Sequence, residues 1–301
     1  MIRIQVTLAV LFARIDQVAP TWRAKAATTR EENRGARKFV QSSPSWSDIK
    51  PVYVQIQRGK CAYCERRIAS GPRLRKALYD FDVEHFRPKN RVEAWPTKRL
   101  AEERRLRYDV EVSTGTPRVG YYLLSHEPLN YLVACKPCNS GLKANYFPVA
   151  SQHNLSGETP SAWAEEWPYL IHPLAGLDDD PEDLIAFHGV LPQPVELDSA
   201  LHDHWRARIT IDFFHLDHES LVRERAELLV SLFLALRVAG NQSLAEDDRT
   251  MAKRLIASLT GPDGAHSSCC RAFASLFVSK RDEARLIAEA ASELISTDPG
   301  V

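Results

Sequence analysis

Asn130-Tyr131-Leu132-Val133-Ala134-Cys135-Lys136-Pro137-Cys138-Asn139-Ser140-Gly141-Leu142-Lys143 is an apolar, strand-like run that breaks into a Cys-x-x-Cys turn and then into polar residues. Two residues between paired cysteines let a tight knuckle put both sulfurs on one ion. A second such pair, Cys61-Ala62-Tyr63-Cys64, lies about 70 residues upstream. Zinc takes four thiolate or imidazole ligands in a tetrahedron, and two knuckles fill that shell with no position left for a substrate. The predicted zinc site on Cys61, Cys64, Cys135 and Cys138 is therefore structural and contributes folding free energy directly. Its gap is longer than in a compact zinc ribbon. A redox dithiol or unrelated cysteines are the alternatives. Cys269 and Cys270 are adjacent and read as part of a helical core, with no function assigned.

Between the knuckles lies Phe81-Asp82-Val83-Glu84-His85-Phe86-Arg87-Pro88-Lys89. Its alternation predicts a short strand that Pro88 ends or marks as an edge. A lone histidine on a strand is most often structural. This one has a carboxylate beside it and two cations just after it, which points to catalysis. Neighbours on a regular strand point to opposite faces, so Glu84 and His85 share a site only at a strand end, a bulge or a strong twist. Beyond the second knuckle, a helix starting near Asn139 would place Asn139 and Lys143 one turn apart on one face. An amide oxygen and an ammonium there suit a hard metal ion and a phosphate; the plainer role for Asn139 is a helix N-cap.

The 301 residues suggest two domains or one large one. Apolar residues at 44% and charged residues at 26% exclude a disordered tail, a collagen-like repeat or a coiled-coil rod. No stretch reaches the ~18 apolar residues of a membrane span. The apolar start, Ile4 to Phe12, carries one preceding Arg3, is interrupted by Gln5 and Thr7, and lacks a small-x-small cleavage site; it reads as a buried first strand rather than a signal peptide. Net charge is zero, yet residues 1–147 hold 27 Lys/Arg against 14 Asp/Glu, and residues 148–301 hold 12 against 25. Such a gradient points to a polyanion partner for the first half, or to two lobes that face each other.

The expected organisation is an N-terminal lead-in over 1–57, a core over 58–150, a linker or small β region over 151–200, and a helical subdomain over 201–301. Within the lead-in, 46–57 reads as a short helix with Ser47 as N-cap and Pro51 in its first turn. Residues 91–118 read as a solvated helix or insertion. In the last third, 219–239 carries Leu221, Leu228, Leu229, Leu232 and Leu236 close to a 3.6-residue period, with Gly240 as cap. Residues 244–259, 269–278 and 281–295 continue helical.

Taken together, Cys-x-x-Cys, a Glu-His strand and Asn-x4-Cys-x-x-Cys-Asn-x3-Lys resemble the HNH endonuclease family over residues 58–148. The Cys61-Ala62-Tyr63-Cys64-Glu65 and Glu84 to Lys89 strings look like the HNH subunit of Septu-type and retron-associated antiphage systems. Ile171-His172-Pro173-Leu174 and Arg206-Ala207-Arg208-Ile209-Thr210-Ile211 extend the likeness over most of the chain. The resemblance implies an α+β fold: a ββα-metal nuclease core with structural zinc knuckles, plus a mainly α-helical C-terminal region. It also implies a cytoplasmic prokaryotic defence nuclease that partners an ABC-type ATPase and hydrolyses phosphodiester bonds of DNA or RNA. By position, His85 is the general base and Asn130 the asparagine that braces the loop through backbone hydrogen bonds. Asn139 stands where a histidine often sits, and Glu84 where aspartate is commoner. Both keep oxygen donors, which suit Mg²⁺ or Mn²⁺. Arg87, Lys89 and Lys143 are the expected phosphate contacts. The alternative is a catalytically inactive zinc module that binds nucleic acid or a protein.

Overall fold

The computed structural model describes residues 1–41, 43–67, 81–112, 115 and 118–296. Residues 68–80 and four positions between 113 and 117, inside the expected 58–150 core, lie outside it, as do 297–301. The first correction comes at the N-terminus. Ile4 alone keeps an extended pairing, a parallel bridge to Leu174 in which its N–H donates to the Pro173 carbonyl at 2.7 Å. The chain then turns into helix α1 (Leu8–Val18), because Thr7 accepts from the Val10 N–H and caps the start. Leu11 and Ile15, four residues apart, are the buried positions, so the apolar run is read with the helical period rather than as a strand.

Helix α2 (Trp22–Ala36) comes from a segment of negative mean hydropathy whose buried face is Trp22, Ala26, Thr29 and Asn33. Asn33 is polar but satisfied: its Nδ2 donates to the Tyr122 carbonyl and to Ser125 Oγ. The expected 46–57 helix is split into a 3₁₀ turn (Trp46–Ile49), capped by Ser45 rather than Ser47, and helix α3 (Lys50–Ile56) with Pro51 in its first turn.

Two antiparallel strands carry the central motifs. Strand β1 (Phe81–His85) pairs with β2 (Tyr131–Cys135) in the register Phe81 to Cys135 and His85 to Tyr131. A π-helical turn (Pro137–Lys143) follows β2 directly, closed by the Ala144 N–H donating to the Asn139 carbonyl. The free edge of β2 is covered by a side chain: Gln57 Oε1 accepts from the Val133 N–H and Gln57 Nε2 donates to the Val133 carbonyl, both at 2.8 Å. One amide thus stands in for a third strand. The Ala62 N–H, in the first knuckle, donates to the same carbonyl. Among the described residues of the charge-rich 91–118 segment only α4 (Lys98–Arg104) is helical, and none of its residues is buried.

The next region is folded more than a linker would be. It holds two short helices, α5 (Pro160–Ala164) and α6 (Pro181–Leu184), and a small antiparallel pair, β3 (Ile185–His188) with β4 (Leu191–Pro194). The two downstream resemblance strings meet at one carboxylate. Asp178 accepts from the His172 N–H at 2.8 Å and from Arg206 at 2.6 Å. Helices α7 (His202–Phe213), α8 (Glu219–Ala239), α9 (Glu246–Thr260), α10 (Ser267–Ser279) and α11 (Arg281–Ser296) complete the described chain. Helix α8 matches the predicted span. One apolar cluster runs from Met1 through β1, β2 and α7 to Leu221. A second joins α8, α10 and α11 and contains both Cys269 and Cys270.

His172 shows how burial sets protonation in this fold. Its Nδ1 accepts from the Leu174 N–H and its Nε2 donates to the Leu129 carbonyl, a pattern only the neutral ring can satisfy. Burial, aided by the nearby Arg87 charge, lowers its pKa to about 3. Below its ordinary pKa of about 6.5, the unfolded chain binds the proton that the native ring refuses. The stabilisation is complete above that value and is lost as pH falls toward 3. Urea denaturation at pH 7 and pH 5 should show a fall in stability in which His172 accounts for on the order of 2 kcal/mol. The His172→Gln variant should be less stable at pH 7 yet lose less on acidification. An unchanged pH slope would remove His172 from the acid response.

Candidate functional site

The two cysteine pairs converge. The sulfurs of Cys61, Cys64, Cys135 and Cys138 all lie within 4.8 Å of one another, and all four residues are buried. Cys64 and Cys135 Sγ are 3.8 Å apart. Zn–S bonds of about 2.3 Å in a tetrahedron place sulfurs about 3.8 Å apart, so this donor set could hold a zinc ion. The backbone builds each knuckle. The Cys61 N–H donates to the Arg66 carbonyl, and the Glu65 N–H donates back to the Cys61 carbonyl. In the second, Cys135 ends β2 and Pro137 opens the helical turn, where its missing N–H costs nothing. Hydrogen bonds from the neighbouring thiols hold Cys135 toward the thiolate, and the same crowding pushes Cys64 and Cys138 up. A divalent cation relieves that competition by taking all four as thiolates.

His85 is the last residue of β1, and its ring is held at one nitrogen and against two aromatic rings. Its Nε2 lies 3.1 Å from the Ser125 carbonyl; a carbonyl only accepts, so Nε2 carries the proton and Nδ1 the lone pair. Tyr131 Oη donates to the same carbonyl at 2.5 Å. The imidazole meets Trp46 and Tyr131 edge to face at 5.1 and 5.0 Å. Burial, with the Lys89 charge nearby, holds its pKa well below the usual histidine value. The ring is therefore neutral near pH 7.

Glu84 points to a different neighbour. Its Oε1 lies 3.4 Å from Lys143 Nζ, both groups are buried, and neither atom makes a hydrogen bond. Burial raises the Glu84 carboxyl to about 7 against the pull of Lys143 and Lys89, and lowers the Lys143 ammonium. Lys89 is the residue common to both sides: its charge acts on Glu84 and on His85, and its Nζ sits 4.4 Å over the Trp46 ring.

Asn130 spans the loop that follows His85. Its Oδ1 accepts from the Arg87 N–H at 2.7 Å, and its Nδ2 donates to the Arg87 and Leu124 carbonyls. Asn139 is half-buried on the π-helical turn and is not an N-cap. Among the described residues its side chain has no hydrogen bond to Glu84 or His85.

Two of the three expected phosphate contacts lie inside the protein. Arg87 donates to Glu166 at 2.9 Å and to the Trp163 carbonyl, and is ringed by Phe147, Trp163, Phe86 and Tyr121. Lys143 is fully buried against Glu84. Both cations are buried in the core and offer no surface charge there. Only Lys89, half-buried, retains access. Sequence reasoning missed Ser125, Trp46, Gln57 and Glu166. Ser125 acts through a backbone carbonyl, which no residue type announces.

Half of the chain has a curated relative. It is similar to the Septu protein PtuB of Bacillus mycoides (strain KBAB4), with 29% identity over 150 residues. That match covers 50% of this chain and 42% of that protein, so the chain spans less than half the length of the relative it matches. No protein-family model and no solved structure matches. Among the described residues, no helix is long and apolar enough to cross a membrane.

The thiolate cluster gives a direct test. Cys135→Ser should lose bound zinc, measured by metal analysis of the purified protein, and should lower the unfolding midpoint or leave the chain aggregated. A cooperative, soluble, zinc-free variant with wild-type stability would overturn the structural role.

Proposed function

We propose that this chain is a metal-dependent HNH-type endonuclease that hydrolyses phosphodiester bonds of nucleic acid, as the effector of a Septu-type antiphage defence complex. The observation that carries the reading is His85: buried, neutral, its Nε2 committed to the Ser125 carbonyl and Nδ1 left as the basic nitrogen. The order of two antiparallel strands and a helical turn supports it, with the histidine at the end of the first strand. So does the similarity to the Septu protein. The cytoplasmic setting and the ABC-type ATPase partner are what the motif resemblance implies.

His85 Nδ1 takes the proton from the attacking water. The Ser125 carbonyl fixes the tautomer and stabilises the imidazolium that forms, the usual task of such a partner. Asn130 holds the backbone of the loop after His85 at both its N–H and its carbonyl, so the base does not drift. Glu84 Oε1 is a buried oxygen without a hydrogen bond; it and the Asn139 amide oxygen are the hard donors that would hold Mg²⁺ or Mn²⁺. When bound, such an ion supplies relief of negative charge on the phosphate and the leaving oxygen. Lys143 balances the Glu84 charge within the fold. Lys89, whose charge acts on both groups and which is half-buried, supplies positive charge for the phosphate.

The test is cleavage of plasmid DNA and of tRNA with Mg²⁺ or Mn²⁺, by the protein alone and with a co-encoded ATPase. His85→Ala should lower the rate by about 10²–10⁴-fold while zinc content stays unchanged and the chain still unfolds cooperatively. Undiminished cleavage by this variant would remove His85 as base. Absence of wild-type cleavage under all of these conditions would return the chain to a zinc-stabilised binding module.

A further inference from the structure

Phe86 and Arg87, the residues that follow Glu84-His85, wall a cavity of about 280 Å³ that the proposed hydrolysis does not use. At its mouth stands Trp167. This indole is 57% exposed, whereas Trp163 on the same wall is buried. Its φ is +51°, a left-handed conformation that a bulky L-residue rarely adopts. The backbone is pinned there: the Trp167 N–H donates to the Ala164 carbonyl, and its own carbonyl accepts from the Ala150 N–H. A strained backbone that holds a large aromatic in solvent gains no burial in return, and such strain concentrates at functional sites. The His202 ring lies 5.2 Å away, edge to face, so an aromatic pair frames the opening.

The polar groups of the wall limit what enters. Arg87 is committed to Glu166 and the Trp163 carbonyl, and Arg206 to Asp178 and Asp179. Neither guanidinium remains free for a phosphate. Asp178 is already filled by the His172 and Asp179 N–H groups and by Arg206. Asp203 is different. Its carboxylate is 3.7 Å from Arg206, beyond hydrogen-bond reach, and half-exposed. The cavity therefore offers an aromatic face and, on Asp203, a carboxylate with acceptor capacity to spare, beside Asp178 and Asp179, which accept from Arg206. That suits a flat, uncharged ring with two adjacent donors on one edge. Guanine presents N1–H and N2–H in this way, matched to the two oxygens of a carboxylate, whereas the other bases present at most one of these donors beside an acceptor.

We propose that this cavity takes an unpaired guanine of the nucleic-acid strand, stacked on Trp167 with its N1–H and N2–H edge on Asp203. Proteins read unpaired bases by this combination of stacking and edge hydrogen bonds. The proposal rests on the nucleic-acid reading above and deepens it, because it assigns the strand a base preference and requires that base to be unpaired.

The experiment is calorimetric titration of the full chain with guanosine, adenosine, cytidine and uridine, probes that carry no phosphate. Guanosine should bind about tenfold more tightly than the others. Trp167→Ala should weaken it about tenfold, Trp167→Phe should largely keep it, and Asp203→Asn should remove the preference for guanosine. Equal binding of the four nucleosides, no guanosine binding at millimolar concentration, or guanosine affinity unchanged in both Trp167→Ala and Asp203→Asn would overturn the proposal. N-acetyl-arginine amide binding more tightly than guanosine, with the same dependence on Trp167 and Asp203, would also overturn it, making the cavity a socket for a partner protein's arginine. Cleavage measured in parallel separates the two readings. Wild-type cleavage without guanosine binding sinks the cavity alone; guanosine binding without cleavage supports the cavity and sinks the hydrolase.

Discussion

Four sulfurs drawn within 4.8 Å of one another are the constraint on which the rest depends. Two come from a turn in the first quarter of the chain, and two from the end of β2 and the turn beyond it. A two-stranded sheet by itself is marginal in water. Here the strand that ends in Cys135 is held at its terminus by the cluster and along its edge by Gln57 and Ala62. Once β2 is fixed, the register with β1 is fixed, and His85 comes to rest opposite Tyr131 beside the Ser125 carbonyl. The cysteine cluster and the candidate base are thus linked by five residues of strand. The same cluster brings the π-helical turn, and with it Lys143, against Glu84.

A second theme is the burial of charge. Arg87–Glu166, Lys143–Glu84 and Arg206–Asp178 all lie inside or nearly so. Such pairs carry a desolvation cost that their attraction only partly offsets, and removing one partner leaves an uncompensated buried charge. The three pairs differ in how fully they are satisfied. Arg87 and Glu166 have hydrogen bonds, aromatic rings and backbone partners around them. Glu84 Oε1 and Lys143 Nζ face each other at 3.4 Å, and neither atom makes a hydrogen bond. Incomplete satisfaction of a buried polar group marks a place where a further ligand improves the energetics, and that distinction separates the candidate site from the scaffold.

Sequence and structure part company where tertiary context reassigns a residue whose type was read correctly. The excess of basic residues in the first half suggested a surface for a polyanion, but residue type does not say which cations stay outside. Arg87 follows Phe86 into an aromatic shell, and Lys143 closes a helical turn whose other side carries Cys138. The apolar start of the chain, Ile4 to Phe12, read as a buried first strand. Thr7 caps a helix instead, and the positions that reach the core are Leu11 and Ile15.

The sequence by itself determined what local spacing controls: the two knuckles, the short strands that carry Glu84-His85 and lead into Cys135, and the long amphipathic helices of the last third. These follow from periodicity and from the reach of a two-residue turn, which are properties of neighbouring residues. Only the tertiary structure decided which nitrogen of His85 is basic, because the deciding partner is the backbone carbonyl of Ser125, forty residues away. It likewise decided that Arg87 is a core residue, that Gln57 completes a sheet edge, and that Trp167 stands strained at a cavity mouth. Those outcomes depend on contacts between distant segments, and desolvation acts only once such segments have packed.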